Sequence, residues 1–278
     1  MITIKDLKFW YSKKNIIFEG LDLQLEPGHI YGLLGKNGAG KTTLLKLFCG
    51  LNFPKSGSVS IDGTDPAKRQ AGFLSEIFLL PEQISVPALT PEKFARINGP
   101  FYPAFDPARF MELLDKFEIK AKQNLSGMSY GQKKKAMIAF ALAVNTRYLF
   151  LDEPTNGMDI PSKAAFRSIL ASAFSEDKTI ILSTHMVRDL ESLIDTVIIL
   201  EDRRIILNTP LNLIARKLSF SRSSLSLTPA EIVYSASGEL GPVNISLNHT
   251  DLEGNIDLEA LFNACIYVPE KISACLVS

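Results

Sequence analysis

Cysteine, tryptophan and histidine are scarce in this 278-residue chain, with three, one and three copies. Cys49, Cys265 and Cys275 stand far apart in apolar surroundings. They spell neither a disulfide framework nor a metal-binding set, which suits a reducing cytosol. A surplus of one charge is also missing: 30 basic residues meet 30 acidic ones. Binding to nucleic acid draws on a positive surplus, so the balance argues against that partner. Long apolar runs are absent as well. Stretches such as Met137 to Val144 and Thr196 to Leu200 fall far short of the ~20 residues that cross a bilayer. No secretory signal is expected, because Met1-Ile2-Thr3-Ile4-Lys5 starts at once as a strand. The short Lys133-Lys134-Lys135 run opens a helix and reads as a solvated face. No internal repeat is visible. The length allows one large or two modest domains around a substantial core.

What is present is concentrated in a few short segments. Gly35-Lys36-Asn37-Gly38-Ala39-Gly40-Lys41-Thr42 fits the phosphate-binding pattern G-x-x-x-x-G-K-[ST]. Before it, Ile30 to Leu34 reads as a buried strand; after it, Thr43 to Cys49 reads as a helix, with Gly50 as its C-cap. Strand, glycine-rich turn and helix N-terminus form the context that lets backbone N–H groups cradle phosphate oxygens. The helix dipole adds roughly half a positive charge there. Lys41 is expected to reach the β- and γ-phosphates, and the Thr42 hydroxyl to hold Mg²⁺. Thr43 completes the phosphate-binding set.

A second cluster narrows the chemistry. Arg147-Tyr148-Leu149-Phe150-Leu151-Asp152-Glu153-Pro154-Thr155 is an apolar run that ends in two acids. It reads as a buried parallel strand delivering carboxylates to the sheet edge where ligands bind. Adjacent carboxylates on a strand point to opposite faces, so they can serve different roles. Asp152 is expected to hold Mg²⁺ through water, and Glu153 to polarise the attacking water as general base.

With Met128-Ser129-Tyr130-Gly131-Gln132 added, the chain resembles the nucleotide-binding subunit of a bacterial ATP-binding-cassette (ABC) transporter, on an exporter-like branch. That pentapeptide stands where the family carries its L-S-G-G-Q signature, and Gln132 precedes Asp152 by 20 residues, as the family pattern requires. Leu125-Ser126-Gly127-Met128, just upstream, is a decoy with no Gly-Gln after it. The resemblance implies an α/β fold: a P-loop NTPase core with an N-terminal antiparallel β subdomain, a helical signature subdomain and a small C-terminal extension. It implies ATP and Mg²⁺ as ligands. Ser129, Gly131 and Gln132 would bind ATP held by an opposite subunit, so ATP would glue a homodimer or heterodimer of ATPase subunits. Tyr11 matches the aromatic that stacks on adenine, with Trp10 as a neighbouring competitor. Asp159, in Gly157-Met158-Asp159, matches a dimer-seam position. His185, after the apolar run Thr179 to Thr184, matches the switch histidine that meets the γ-phosphate. Two departures stand out. Glu76 occupies the place assigned to the family's Gln, as a Mg²⁺ ligand; Glu82-Gln83, behind Pro81, sits later and is the weaker candidate. Tyr130 replaces the first signature glycine, which would be strained if that position needs φ > 0.

The resemblance covers about residues 1–208, with a helix-rich part at about 88–140. Asn98 to Asp106 is an aromatic loop, either packed inward as a helix entry or open as part of a groove for a membrane partner; a helix follows from about Pro107 to Phe117. Residues 209–278 form an α+β extension of short β-like runs, Ile232 to Tyr234 and Val243 to Leu247, and a helix from Asp257 to Cys265. A transporter role implies a separate integral membrane permease and a cytoplasmic position on the inner face of the cell membrane. The alternative is a soluble ABC ATPase with a mechanical or regulatory role. Translation-factor types carry two cassettes, however, and chromosome-maintenance types carry a long coiled coil between the motifs. Here one cassette is present, and its P-loop and signature lie only about 90 residues apart.

Overall fold

The computed structural model describes residues 1–187, 191–222, 231–238, 241–250 and 253–277. From the N-terminus, β1 (Ile2–Ser12) and β2 (Asn15–Leu25) form an antiparallel hairpin, and β3 (His29–Leu34) leads through the glycine-rich turn into α1 (Lys41–Phe48). Next come β4 (Ser56–Ile61), α2 (Ala71–Leu74), β5 (Ile77–Leu80), α3 (Pro91–Asn98), α4 (Pro107–Lys116), α5 (Tyr130–Ala143), β6 (Tyr148–Asp152) and α6 (Ile160–Ala173). They are followed by β7 (Thr179–Thr184), β8 (Thr196–Glu201), β9 (Arg204–Pro210), α7 (Leu211–Lys217) and β10 (Leu218–Ser221). The last described elements are β11 (Ile232–Gly238), β12 (Gly241–Leu247), α8 (Leu258–Tyr267) and α9 (Pro269–Val277).

The central sheet runs β5-β6-β7-β3-β8-β9, parallel except for the antiparallel edge strand β9. Its strands alternate between two cores, as period-two side-chain geometry requires. Ile30, Leu149, Leu151, Ile180 and Val197 face one core, built with α3 to α6. Tyr31, Leu33, Phe150, Ile181 and Ile198 face the other, built with α1 and the N-terminal sheet β2-β1-β4. Both faces are covered, so these strands read as continuous apolar runs. Parallel strands also send all their carboxyl ends to one edge. The glycine-rich turn after β3, Asp152 at the end of β6 and Thr184 at the end of β7 therefore meet there.

Helix starts follow capping chemistry. Asp106 accepts from the Arg109 N–H at 2.9 Å with Pro107 in the first turn, and Thr90 accepts from the Lys93 N–H at 3.2 Å ahead of Pro91. After β9, the strands β10-β12-β11 make a small antiparallel sheet. Leu218, Val243 and Ile245 from it, and Leu258, Leu261 and Ala264 from α8, join the same core as the helices α3 to α6.

The aromatic loop at Asn98 to Asp106 packs two of its rings inward, as the helix-entry reading expects. Tyr102 and Phe105 turn inward onto Phe140, at ring centroid distances of 6.3 and 5.5 Å, and Phe94 and Phe110 meet the same ring at 5.0 and 5.9 Å. Phe101 points outward and is 70% exposed. Phe140 is thus the centre of an aromatic cluster joining α3, α4 and α5. Phe140→Ala should cost about 3–5 kcal/mol of unfolding free energy in a urea titration. Phe101→Ala should change it by about 0.5 kcal/mol or less.

Candidate active site

The P-loop wraps the N-terminus of α1. Gly40, its last glycine, has φ 111°, and a Cβ there would stand 2.9 Å from the Phe18 ring. Only glycine satisfies both conditions. Lys41 is buried and its ammonium bridges the loop, donating to the carbonyls of Gly35 at 2.6 Å and Lys36 at 3.3 Å. Burial draws its pKa below the ordinary lysine value, while Glu153, Asp152, Glu82 and Glu201 pull it back up. Lys36 turns outward to Glu201 at 2.6 Å.

Thr42 donates its hydroxyl to Asp152 at 2.6 Å, and Ser183 from β7 donates to the other oxygen of the same carboxylate. Glu153 follows on a sharp turn with φ 47°. A non-glycine residue in that region costs about 1–2 kcal/mol, so the surroundings must hold it there. They do so from several sides. Its N–H donates to the Ser183 carbonyl at 3.0 Å. Its carboxylate accepts from the Thr184 hydroxyl at 3.1 Å and the His185 N–H at 3.0 Å, and stands 2.7 Å from His185 Nδ1. The Lys134 ammonium grips its carbonyl. The two carboxylates are therefore engaged by different partners, Thr42 and Ser183 for Asp152, Thr184 and His185 for Glu153.

Lys41, Thr42, Asp152, Glu153 and His185 line one cavity of about 690 Å³, together with Asn37, Gly38, Gly40, Thr43, Asn15, Ile17, Glu82 and Asn156. Several residues singled out in the sequence lie outside its wall. Gly35 and Ala39 belong to the loop behind it. Tyr11 is exposed beside the first turn of α1, its hydroxyl 3.2 Å from Thr43 Oγ1 and accepting from Asn52 Nδ2 at 3.2 Å. Asp159 caps α6, accepting from the Ser162 N–H at 2.8 Å, and hydrogen bonds from Ser162 hold its carboxyl below the usual range. Ser129 and Gln132 form a capping box at the start of α5, and Gly131 lies in the first turn between them. The decoy Leu125–Gly127 is a separate short 3₁₀ turn.

Two expectations need correction, and the condition set on Tyr130 is not met. Glu76 cannot serve the cavity. It is exposed and precedes β5, at the amino end of the sheet, where its carbonyl accepts from the Tyr148 N–H at 2.9 Å. Four residues of strand at ~3.3 Å each separate it from the carboxyl edge. Glu82 stands at that edge instead, lining the cavity and accepting from Asn156 Nδ2 at 3.4 Å. The missed signal was Ile77-Phe78-Leu79-Leu80, a short apolar strand whose end sets the level of the next acid. Lys134 is not on a solvated face; it has no exposed surface. Desolvation lowers its pKa to about 8, against the opposing pull of Glu82, Glu153 and Asp152. Tyr130 is unstrained, because it occupies the first turn of α5 and is absent from the positive-φ residues. Asn15, Ile17 and Asn156 carry no motif of their own that would have marked them.

Comparison with known proteins gives one answer. A family model described as "ABC transporter" matches residues 18–156. The chain is 32% identical over 216 residues to the ABC transporter ATP-binding protein NatA of Bacillus subtilis, covering 74% of this chain and 88% of the relative. It is 33% identical over 212 residues to the Nod factor export ATP-binding protein I of Burkholderia thailandensis, covering 73% and 68%. A solved ATP-binding subunit of an ABC transporter superposes with a TM-score of 0.70 at 26% identity, covering 78% of this chain and 92% of that one. A bacterial Atm1-family ABC exporter with ATP bound shares the fold, with a TM-score of 0.67 at 21% identity over 75% of this chain and 38% of that one.

The two acids can be separated by assay. Glu82→Ala should lower nucleotide hydrolysis by roughly 10²- to 10³-fold, as loss of one preorganised electrostatic group does. Glu76→Ala should stay within about twofold of the parent, like other surface changes. Steady-state phosphate release measures both.

Proposed function

The chain belongs to the ABC transporter ATP-binding family, and from that premise we propose that two such subunits close over ATP to drive a separate membrane-embedded permease. As a member of the family it binds and hydrolyses ATP to power transport. The observation that carries the closure is the division of its motifs. Lys41, Asp152, Glu153 and His185 converge on one cavity, while Ser129, Gly131 and Gln132 stand at the start of α5 outside it. Two chains related by a two-fold axis would bring each signature to the other's P-loop and complete two sites. Asp159 would lie at that seam.

In this reading the P-loop N–H groups and Lys41 hold the phosphates, and Tyr11 stacks on adenine. Glu153 takes a proton from a water whose oxygen attacks the γ-phosphorus. The bond from that phosphorus to the bridging oxygen breaks, releasing ADP and phosphate. His185, fixed against Glu153, orients the water and meets the γ-phosphate. Mg²⁺ fits the donor set, since three carboxylates (Glu82, Asp152, Glu153) and the Thr42 hydroxyl offer hard oxygens around a single lysine. Thr42, Asp152 and Glu82 would hold it, and it would offset the phosphate charge. Residues 1–208 would carry this cycle, with 88–140 as the helical subdomain and 209–278 as an accessory extension. No helix among the described residues is long and apolar enough to cross a membrane. The permease is therefore taken to be another polypeptide, and this chain to sit on the inner face of the cell membrane.

The test uses Glu153→Gln. It should bind ATP normally and lose about 10²- to 10⁴-fold in turnover, the share of a general base. In light scattering it should shift from monomer to dimer on adding ATP, because bound nucleotide stabilises the state that binds it. Adding Ser129→Arg should abolish the shift and leave nucleotide binding intact. An ATP-insensitive dimer would overturn the closure, and a persistent monomer would point to a heterodimer with a second ATPase subunit.

A further inference from the structure

Lys134 is the most deeply buried charge in the described residues that the hydrolysis scheme does not use. It sits on α5, five residues after Ser129, with no exposed surface. An ammonium taken out of water is tolerated only where hydrogen bonds replace its hydration. Here the replacements are two backbone carbonyls from the loop after β6. One is the carbonyl of Glu153; the other is that of Asn156, at 3.2 Å. The Tyr130 ring covers the ammonium from a centroid distance of 5.8 Å.

The first of these contacts falls at the strained point of the site. Glu153 is held at φ 47°. The peptide group before it is tied to β7 through its N–H at 3.0 Å, and the peptide group after it is tied to α5 through Lys134. Rotation of either peptide would swing the carboxylate away from Thr184 and His185. Tyr130 strengthens the same junction. Its hydroxyl donates to the Glu82 carbonyl, and its ring packs on Gly157, where φ is +77° and a Cβ would stand 3.3 Å from Cδ1. The first turns of α5 thus hold two loops, the one after β5 and the one after β6, and Lys134 is the residue whose bond ends on the peptide of the base itself.

We propose that Lys134 is a positioning residue for Glu153, tethering the base to the signature helix so that movement of that helix alters the aim of the carboxylate. The inference rests on the reading of Glu153 as general base and of Ser129 as the contact to a partner's ATP. With that reading, the ammonium links the site a subunit completes for its partner to the site where it hydrolyses its own ATP.

Lys134→Met removes the ammonium and keeps most of the stem. It should lower kcat by 10-fold or more with KM for ATP within about twofold, because phosphate-binding groups are untouched. In a Glu153→Gln background, Lys134→Met should still dimerise on ATP. Loss of kcat together with loss of dimerisation and a lowered melting temperature would mean that Lys134 only supports the fold, and would overturn the proposal. Parental kcat would overturn it too. If Lys134→Met fails to fold, Lys134→Arg decides the matter. It keeps the charge but puts a larger planar group into a site with no exposed surface, displacing the carbonyl of Glu153, and should cut kcat several-fold at unchanged KM; parental kcat would sink the idea. Failure of the underlying reading is separately visible, as retained hydrolysis in Glu153→Gln alone.

Discussion

The carboxylate of Asp152 is the point at which three separate chain segments are joined. One oxygen accepts from Thr42 at 2.6 Å, at the start of α1; the other accepts from Ser183, on β7. The joint exists because β3, β7 and β6 are parallel neighbours in matched register, with Leu34 beside Thr184 and Asp152 beside Ser183. A slip of one residue in β6 would carry Asp152 to the other face of the sheet. It would also move Glu153 off its turn and expose Phe150 or Leu151 to the wrong core. The packing of Phe150 against Phe48, at a centroid distance of 5.6 Å, ties the register of β6 to the seat of α1. Apolar layers therefore set the chemistry by fixing which residue ends each strand.

Around that joint, polar groups are satisfied mainly by backbone. Lys41 donates to two loop carbonyls, Lys134 to two more, and the Glu153 carboxylate takes the His185 N–H. Such bonds hold charged side chains in place at buried positions, where an unpaired charge would be costly. They also make the loops dependent on one another. The turn at Glu153 is held from β7 on one side and α5 on the other, so its geometry belongs to neither element alone.

The small C-terminal sheet and α8 share a core with the helical side of the central sheet, through Ile245, Leu261 and Ala264. Within it, α8 packs against β11 and β12 and reaches β8 of the central sheet. Exposed aromatic surface remains at Tyr267, which stacks on Tyr234 at a centroid distance of 6.3 Å.

Much of the site was legible in the amino-acid order because its geometry is local. The glycine-rich turn needs only a strand, a left-handed glycine and a helix start, all within residues 29–48. The same holds for the Asp-Glu pair ending an apolar run, and for Ser129 and Gln132 capping α5. Other features depended on contacts between distant segments. Glu82 displaced Glu76 because β5 pairs with β6 in parallel, Leu80 beside Leu151, and so sets which acid reaches the carboxyl edge. Tyr130 proved unstrained because its residue joins the helix. Lys134 turned inward because the loop after β6 offered its ammonium two carbonyls, which no count of neighbouring lysines could reveal. Spacing along the chain decides what a turn can hold. Which side chains face each other across it is decided by strand order and register, and those are set by burial of both faces of one sheet.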